Sequence, residues 1–233
     1  MQRLLLRKIL QVPVSTPEEA FYLELGILPI GVIVKARRIN YLHYLLTRDT
    51  DEMLYKFFIT QWLQPCRGDW TETVKQDLQD FNIQCDFPYI KSKSGEAFKR
   101  IVKSKAHEYS LNELTKNQQK HSKMEGLYYT EVKPQKYLTM KDVRIDQVRN
   151  IFRYRTRMAD FGENFRGNQD HKMCPLCFKH YDSQSLSFQC EFYKDKMEIN
   201  INMSDIYRDE ISMETVKTMC KMMKLRKKHL MED

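Results

Sequence analysis

Glycine is scarce in this chain and never clustered. Seven occur in 233 residues, and Gly26, Gly31, Gly68, Gly95, Gly126, Gly162 and Gly167 each stand alone. Loops that wrap backbone around a phosphate need closely spaced glycines, as in Gly-x-Gly-x-x-Gly or Gly-x-x-x-x-Gly-Lys. Neither pattern occurs, which excludes nucleotide-cofactor chemistry of those types. Prolines also number only seven, and good helix formers fill the stretches between these breaks, so the expected fold class is mainly α. A hydrophobic fraction of 42% with 12% aromatic residues is enough to bury a core. The longest apolar run, Ile30 to Val34, is interrupted by Gly31 and ends at Lys35, far short of the roughly 20 apolar residues a spanning helix needs.

The breaks delimit the expected helices. A first helix runs from Arg3 to Leu10 and stops before Pro13, because proline disfavours helical geometry in the residue ahead of it. Thr16, Pro17 and Glu19 form a capping-box pattern for a helix to Leu25, and Gly26 suits the left-handed cap that ends it. Pro29 opens a longer helix to about Leu46. Further helices are expected from Glu52 to Leu63, after Asp69-Trp70-Thr71-Glu72, around Phe98 to Tyr109, from Asp142 to Met158, and from Ser212 to Leu230. Composition divides the chain into four segments: 1–64, a basic helical region 65–165, a cysteine-bearing segment 166–195, and a C-terminal helix 196–233. The acid-free start, Gln2-Arg3-Leu4-Leu5-Leu6-Arg7-Lys8, superficially resembles a transit peptide, but a first helix covering other helices is the preferred reading.

Positive charge is the next constraint. Lys and Arg total 39 against 31 Asp and Glu, for a formal net charge of +8, which points to an anionic partner. The candidates for nucleic-acid contact are Lys35, Arg37 and Arg38; Lys99, Arg100 and Lys103 within the basic stretch Lys91 to Lys123; and Arg149, Arg153 and Arg157. The last three recur every four residues and so are expected along one helix face. Such cations bind RNA or DNA by neutralising phosphates and releasing counterions. The plainer alternative is a set of solvated helix faces. Tyr41, Tyr44 and Tyr154 are candidates for stacking on bases, although aromatic residues at helical spacing more often belong to a core.

Of six cysteines, Cys174, Cys177 and Cys190 cluster, while Cys66, Cys85 and Cys220 are scattered. With no recognisable secretory leader, reduced thiols in an intracellular compartment, nuclear or cytoplasmic, are expected. Cys174-x2-Cys177 is the spacing that lets two thiolates reach one tetrahedral zinc, and Cys190 offers a third. His180, or His171 ahead of the pair, is the candidate fourth ligand. Zinc binding and a degenerate knuckle with free thiols both remain open on spacing alone.

Two segments make a pattern: Thr16-Pro17-Glu18-Glu19-Ala20-Phe21-Tyr22-Leu23-Glu24-Leu25-Gly26-Ile27-Leu28-Pro29-Ile30, and Lys35-Ala36-Arg37-Arg38-Ile39-Asn40-Tyr41-Leu42-His43-Tyr44-Leu45-Leu46. With Gly68-Asp69-Trp70, His121-Ser122-Lys123-Met124, Phe152-Arg153-Tyr154-Arg155-Thr156-Arg157-Met158 and Cys174-Pro175-Leu176-Cys177, they keep one order along nearly the whole chain. This string resembles the region after the polymerase palm in non-LTR (LINE-type) retrotransposon reverse transcriptases. The resemblance implies a helical thumb-like bundle (1–64), a helical linker and a zinc knuckle (166–195), holding RNA or DNA template and primer. It also implies a partner in the upstream polymerase portion of the same element. The family places a histidine four residues before the last cysteine, and here that position is Leu186.

Catalysis is not expected from this chain alone. The palm of such polymerases holds two metals through adjacent aspartates, and no Asp-Asp pair occurs in the sequence. A restriction-like nuclease site would need Pro-Asp followed by Glu or Asp-x-Lys. Glu131-x-Lys133 and Asp170-x-Lys172 match only the second half, and there is no Pro-Asp. No serine sits in a Gly-x-Ser-x-Gly turn. The alternative to a nucleic-acid-binding fragment is a helical protein-interaction module or an inert remnant.

Overall fold

Every helix that the breakers delimit has a counterpart in the computed structural model, which describes residues 2–64, 66–164, 173–199, 201, 203–208 and 211–232. Among these, thirteen α-helices occur and no strand; one isolated antiparallel bridge joins Met173 to Tyr181. No helix among the described residues is long and apolar enough to cross a membrane. The chain forms two compact units, Leu28–Glu113 and the remainder, which joins the residues up to Ile27 to those from Leu114 onward. This second grouping ties the N-terminal helices to the cysteine-bearing part of the chain, a connection that a linear division by composition does not contain.

The remainder begins with α1 (Gln2–Leu10) packed on α2 (Glu18–Leu25). The expected capping box at α2 does not form. Pro17 itself takes the cap position, and the Thr16 hydroxyl is buried without a hydrogen-bond partner among the described residues. Glu19 faces His121 instead, at 3.2 Å. The far end of α2 is as expected: Gly26 lies at φ 63 and donates its N–H to the Tyr22 carbonyl.

Gly26 also meets a second constraint. A Cβ built there would lie 2.0 Å from the Lys133 carbonyl carbon and from the Pro134 nitrogen. Those are backbone atoms and cannot rotate away. Gly26→Ala is therefore expected to cost more than about 2 kcal/mol, a fall in Tm of roughly 4–8 °C. Gly68→Ala provides the control, since Gly68 also has positive φ but nothing lies within 4 Å of its Cβ position. Only the backbone cost of about 1 kcal/mol applies there. Equal thermal shifts for the two variants would refute the packing account.

The Leu28–Glu113 unit is built around α3 (Ile30–Leu46), which packs against α4 (Met53–Leu63), α5 (Trp70–Asp80) and α6 (Phe87–Ser92). α7 (Gly95–Gln118) adds Phe98, Val102 and Ala106, spaced by four and hence on one face. These meet Ile39, Leu42 and Leu46 from α3 and Val74, Leu78 and Phe81 from the α5 end, all buried.

The other unit continues with α8 (Lys136–Thr139), α9 (Ile145–Arg155), α10 (Gln184–Ser187), α11 (Glu191–Lys196), α12 (Met203–Tyr207) and α13 (Met213–Glu232). α9 packs on α13 through a core that includes Tyr137, Ile151, Tyr154, Ile206, Val216 and Met219. Ser212 caps α13 as expected, accepting the Thr215 N–H at 3.1 Å. α9 is shorter than its periodicity suggests. Met158 N–H bonds to the Arg153 carbonyl and Arg157 N–H to that of Tyr154, with Arg157 at φ 51. That is a Schellman ending with arginine where glycine is usual.

Candidate metal centre and cationic residues

The cysteine segment is organised by its backbone. Phe178, at φ 55, donates its N–H to the Cys174 carbonyl at 2.9 Å, closing the turn Cys174-Pro175-Leu176-Cys177. Cys174 N–H then bonds to the His180 carbonyl at 2.7 Å, and the Met173–Tyr181 bridge holds the returning chain. The turn therefore delivers His180 beside the first cysteine. Cys190 arrives on the residue before α11 and is fully buried.

These four residues converge. The ligand atoms of Cys174, Cys177, His180 and Cys190 all lie within 4.8 Å of one another. The Cys174 and Cys190 sulfurs are 3.8 Å apart, equal to the edge of a tetrahedron with metal–sulfur bonds of about 2.3 Å, which is about 3.8 Å. His180 Nδ1 lies 2.9 Å from the Tyr181 carbonyl. Nδ1 thus carries the proton and Nε2 the lone pair, and Nε2 is buried with no hydrogen-bond partner among the described residues. A buried imidazole nitrogen beside three thiols is of a kind that could serve as a metal ligand.

The backbone prepares the sulfurs as well. Each cysteine receives N–H groups from the residues two and three positions on: Leu176 and Cys177 at Cys174, Lys179 and His180 at Cys177, Phe192 and Tyr193 at Cys190. Such donors favour thiolate. Burial opposes them and wins at Cys174, whose thiol is pushed up, and at Cys190, pushed up to about 12. At Cys177 burial is outweighed by the Lys179 N–H and the neighbouring thiols, so that thiol sits below its usual range. Leu186 is no ligand; its N–H bonds to the Ser183 hydroxyl at 3.3 Å and starts α10. His171 and the Asp170-x-Lys172 triplet lie outside the described residues. Glu131 and Lys133 form an exposed ion pair with each other at 2.7 Å.

The segment is anchored by Asp182, two residues beyond His180. Arg226 of α13 grips its carboxylate through both terminal nitrogens at 2.9 and 2.5 Å, while Gly162 N–H bonds to the same carboxylate at 2.6 Å. Burial lowers and Asp182 raises the Arg226 pKa, with a net rise, so the guanidinium stays charged.

The nine candidate cations are not equivalent. Lys35 pairs with Asp80, and Arg38 binds Asp77 bidentately at 2.6 and 3.0 Å, so both tie α3 to α5. Arg37, Lys99, Arg100 and Lys103 are exposed, and among the described residues their one ion pair is a long contact from Arg100 to Glu96 at 3.9 Å. Arg149 donates to the Ile9 carbonyl at 2.8 Å and Arg153 to that of Gln11. The expected arginine face does not extend to Arg157. The helix has ended, the left-handed backbone turns that side chain away, and it reaches the Tyr207 hydroxyl at 3.3 Å and the Glu125 carbonyl at 3.4 Å. Of the candidate stacking residues, Tyr41 and Tyr44 are exposed and stack on each other, whereas Tyr154 is fully buried and bonds to the Ser187 hydroxyl at 2.7 Å.

Arg155, which the periodic pattern passes over, is the most consequential arginine. It is fully buried and meets Glu24, also fully buried, with Nε 2.9 Å from each carboxylate oxygen. Tyr137 donates to Glu24 at 2.7 Å and Tyr129 donates to the other oxygen. Arg155 further donates to the Ile206 and Arg208 carbonyls. The signal in sequence is Glu24 itself, an acid in the otherwise apolar run Ala20 to Leu25. Comparison with protein-family models, curated proteins and solved structures finds no match for this chain.

Proposed function

We propose that the chain is a non-catalytic nucleic-acid-binding module held in shape by a structural zinc ion, of the kind that follows the palm in LINE-type reverse transcriptases. The convergence of Cys174, Cys177, His180 and Cys190 carries this reading. Three sulfurs and one imidazole are a zinc ligand set, and four protein ligands leave no open position for substrate or water. A closed sphere supports a structural role and argues against hydrolysis. When bound, the ion supplies only cross-linking of the hairpin to the start of α11. Support for the family reading comes from the ordered sequence blocks, two of which contribute Glu24 and Arg155 to one buried pair.

Exposed Arg37, Lys99, Arg100 and Lys103 supply phosphate-binding charge on one unit. Protein purified without chelator is expected to contain one zinc per chain, and cobalt substitution is expected to give the visible bands of a tetrahedral thiolate site. RNA and DNA binding is expected to weaken steeply between low and physiological salt. Absence of metal would defeat the zinc reading, and absence of binding at low salt the nucleic-acid one. The latter result would favour a protein-docking module instead, for which α4 offers the exposed Met53, Phe57 and Leu63.

A further inference from the structure

We propose that the cleft between α9 and α13, lined also by Gln11, binds a single strand of RNA or DNA, its cations holding phosphates and its amides and apolar side chains holding bases. The proposal rests on the nucleic-acid reading above and assigns it a place. The cleft has a volume of about 790 Å3, within the range of sites that enclose a small ligand and too confined for a duplex.

Its charge is unbalanced. Arg144 pairs with Asp146 and Arg226 with Asp182. That leaves Arg149, Arg153, Lys224 and Lys227 without a carboxylate partner among the described residues, against two unpaired acids in the lining, Asp142 and Asp160. The two arginines are held in place by the carbonyls of Ile9 and Gln11, each through a single nitrogen. A guanidinium has five N–H groups, so each retains donors for a phosphate.

The rest of the lining separates a strand from a simple anion. Gln147 and Asn150 present amides, and Met223 and Leu230 present apolar surface. A phosphate alone uses neither, and a duplex hides its bases from a cleft of this kind. A single strand offers phosphate and unstacked base alternately.

The test uses the full chain and a fluorescein-labelled 20-mer of uridine, with the same sequence in duplex and with tripolyphosphate as competitors. Lys224 and Lys227 are exposed, so K224E/K227E leaves the fold intact. The pair is expected to weaken single-strand binding by about tenfold or more and to reduce the slope of log K against log salt by about 1.4. The control pair K217E/K221E, exposed on α13 but outside the cleft lining, is expected to leave the single-strand affinity within about twofold. Unchanged single-strand affinity in K224E/K227E, with wild-type protein binding normally, overturns the cleft assignment and leaves the nucleic-acid reading standing. Tripolyphosphate displacing the strand at equal phosphate concentration also overturns it, showing a plain anion patch. No binding of any strand by the wild type at low salt defeats both.

Discussion

Arg155→Met is expected to destabilise the protein by about 3–5 kcal/mol, the cost of removing one partner of a buried ion pair. Arg155 and Glu24 are both fully buried, and among the described residues the guanidinium is the only cation on the carboxylate. Without it Glu24 keeps only the two tyrosine hydroxyls, and the carbonyls of Ile206 and Arg208 lose their donor. The network also spans the unit: Glu24 comes from α2, Tyr137 from α8, Arg155 from α9, and the carbonyls from the α12 end. Burial works against the charge on Arg155, but Glu24, Tyr129 and Tyr137 more than offset this and push its pKa further up. Burial, with Glu24 adjacent, likewise keeps the phenols of Tyr129 and Tyr137 protonated.

The double variant E24L/R155M distinguishes a paired charge from mere volume. Replacing both partners by apolar groups removes the unpaired charge, and such replacements are often close to neutral. Here the two tyrosine hydroxyls are left without acceptors, at about 1–3 kcal/mol each. The double variant is therefore expected to recover only part of the loss, and Y129F/Y137F in that background to recover most of the remainder. Urea unfolding of the four proteins measures this directly. A double variant less stable than R155M by the full cost of a second independent substitution would sink the ion-pair account.

Why α9 misled the sequence reading follows from this network. Arginines at 149, 153 and 157 share a helical spacing, and spacing alone assigns them to one solvated or phosphate-binding face. Residue 155 falls about 160° from the middle of that face, on the core side, where arginine is rare unless paired. Its partner lies 131 positions away in sequence, so no local pattern announces it. The helix ends at 155 because Thr156 and Arg157 form a Schellman turn whose usual marker, glycine, is absent. By contrast, the ends of α2 and α13 were legible, because Gly26 and Ser212 act locally. The four metal-ligand candidates were legible as residue types, but a spacing of nine residues between His180 and Cys190 says nothing about convergence. That needed the hairpin closed at Phe178 and the placement of Cys190 at the start of α11.

Chelation of the proposed zinc ion is the second large effect expected. Structural zinc contributes about 10–16 kcal/mol of apparent binding free energy in small zinc modules. In this protein the hairpin also packs against Tyr193, Met197 and Met222, so part of the segment's order survives on hydrophobic contact. A loss of about 5 kcal/mol on adding a strong zinc chelator is the expected net, or roughly 10–20 °C in Tm. Cys190→Ala should reproduce it, since Cys190 is fully buried and joins the hairpin to α11. Cys66→Ala should retain one zinc and the wild-type Tm, because Cys66 is exposed and outside the cluster. Hydrogen exchange locates the effect: residues 173–199 and α13 should lose protection, through Met222 and the Asp182–Arg226 pair. Residues 28–113 form a separate unit with its own core and should keep theirs. A chelated protein that melts and exchanges like the untreated one would show that the thiols and His180 are neighbours without a metal, and that buried Nε2 would then have no explanation in the fold.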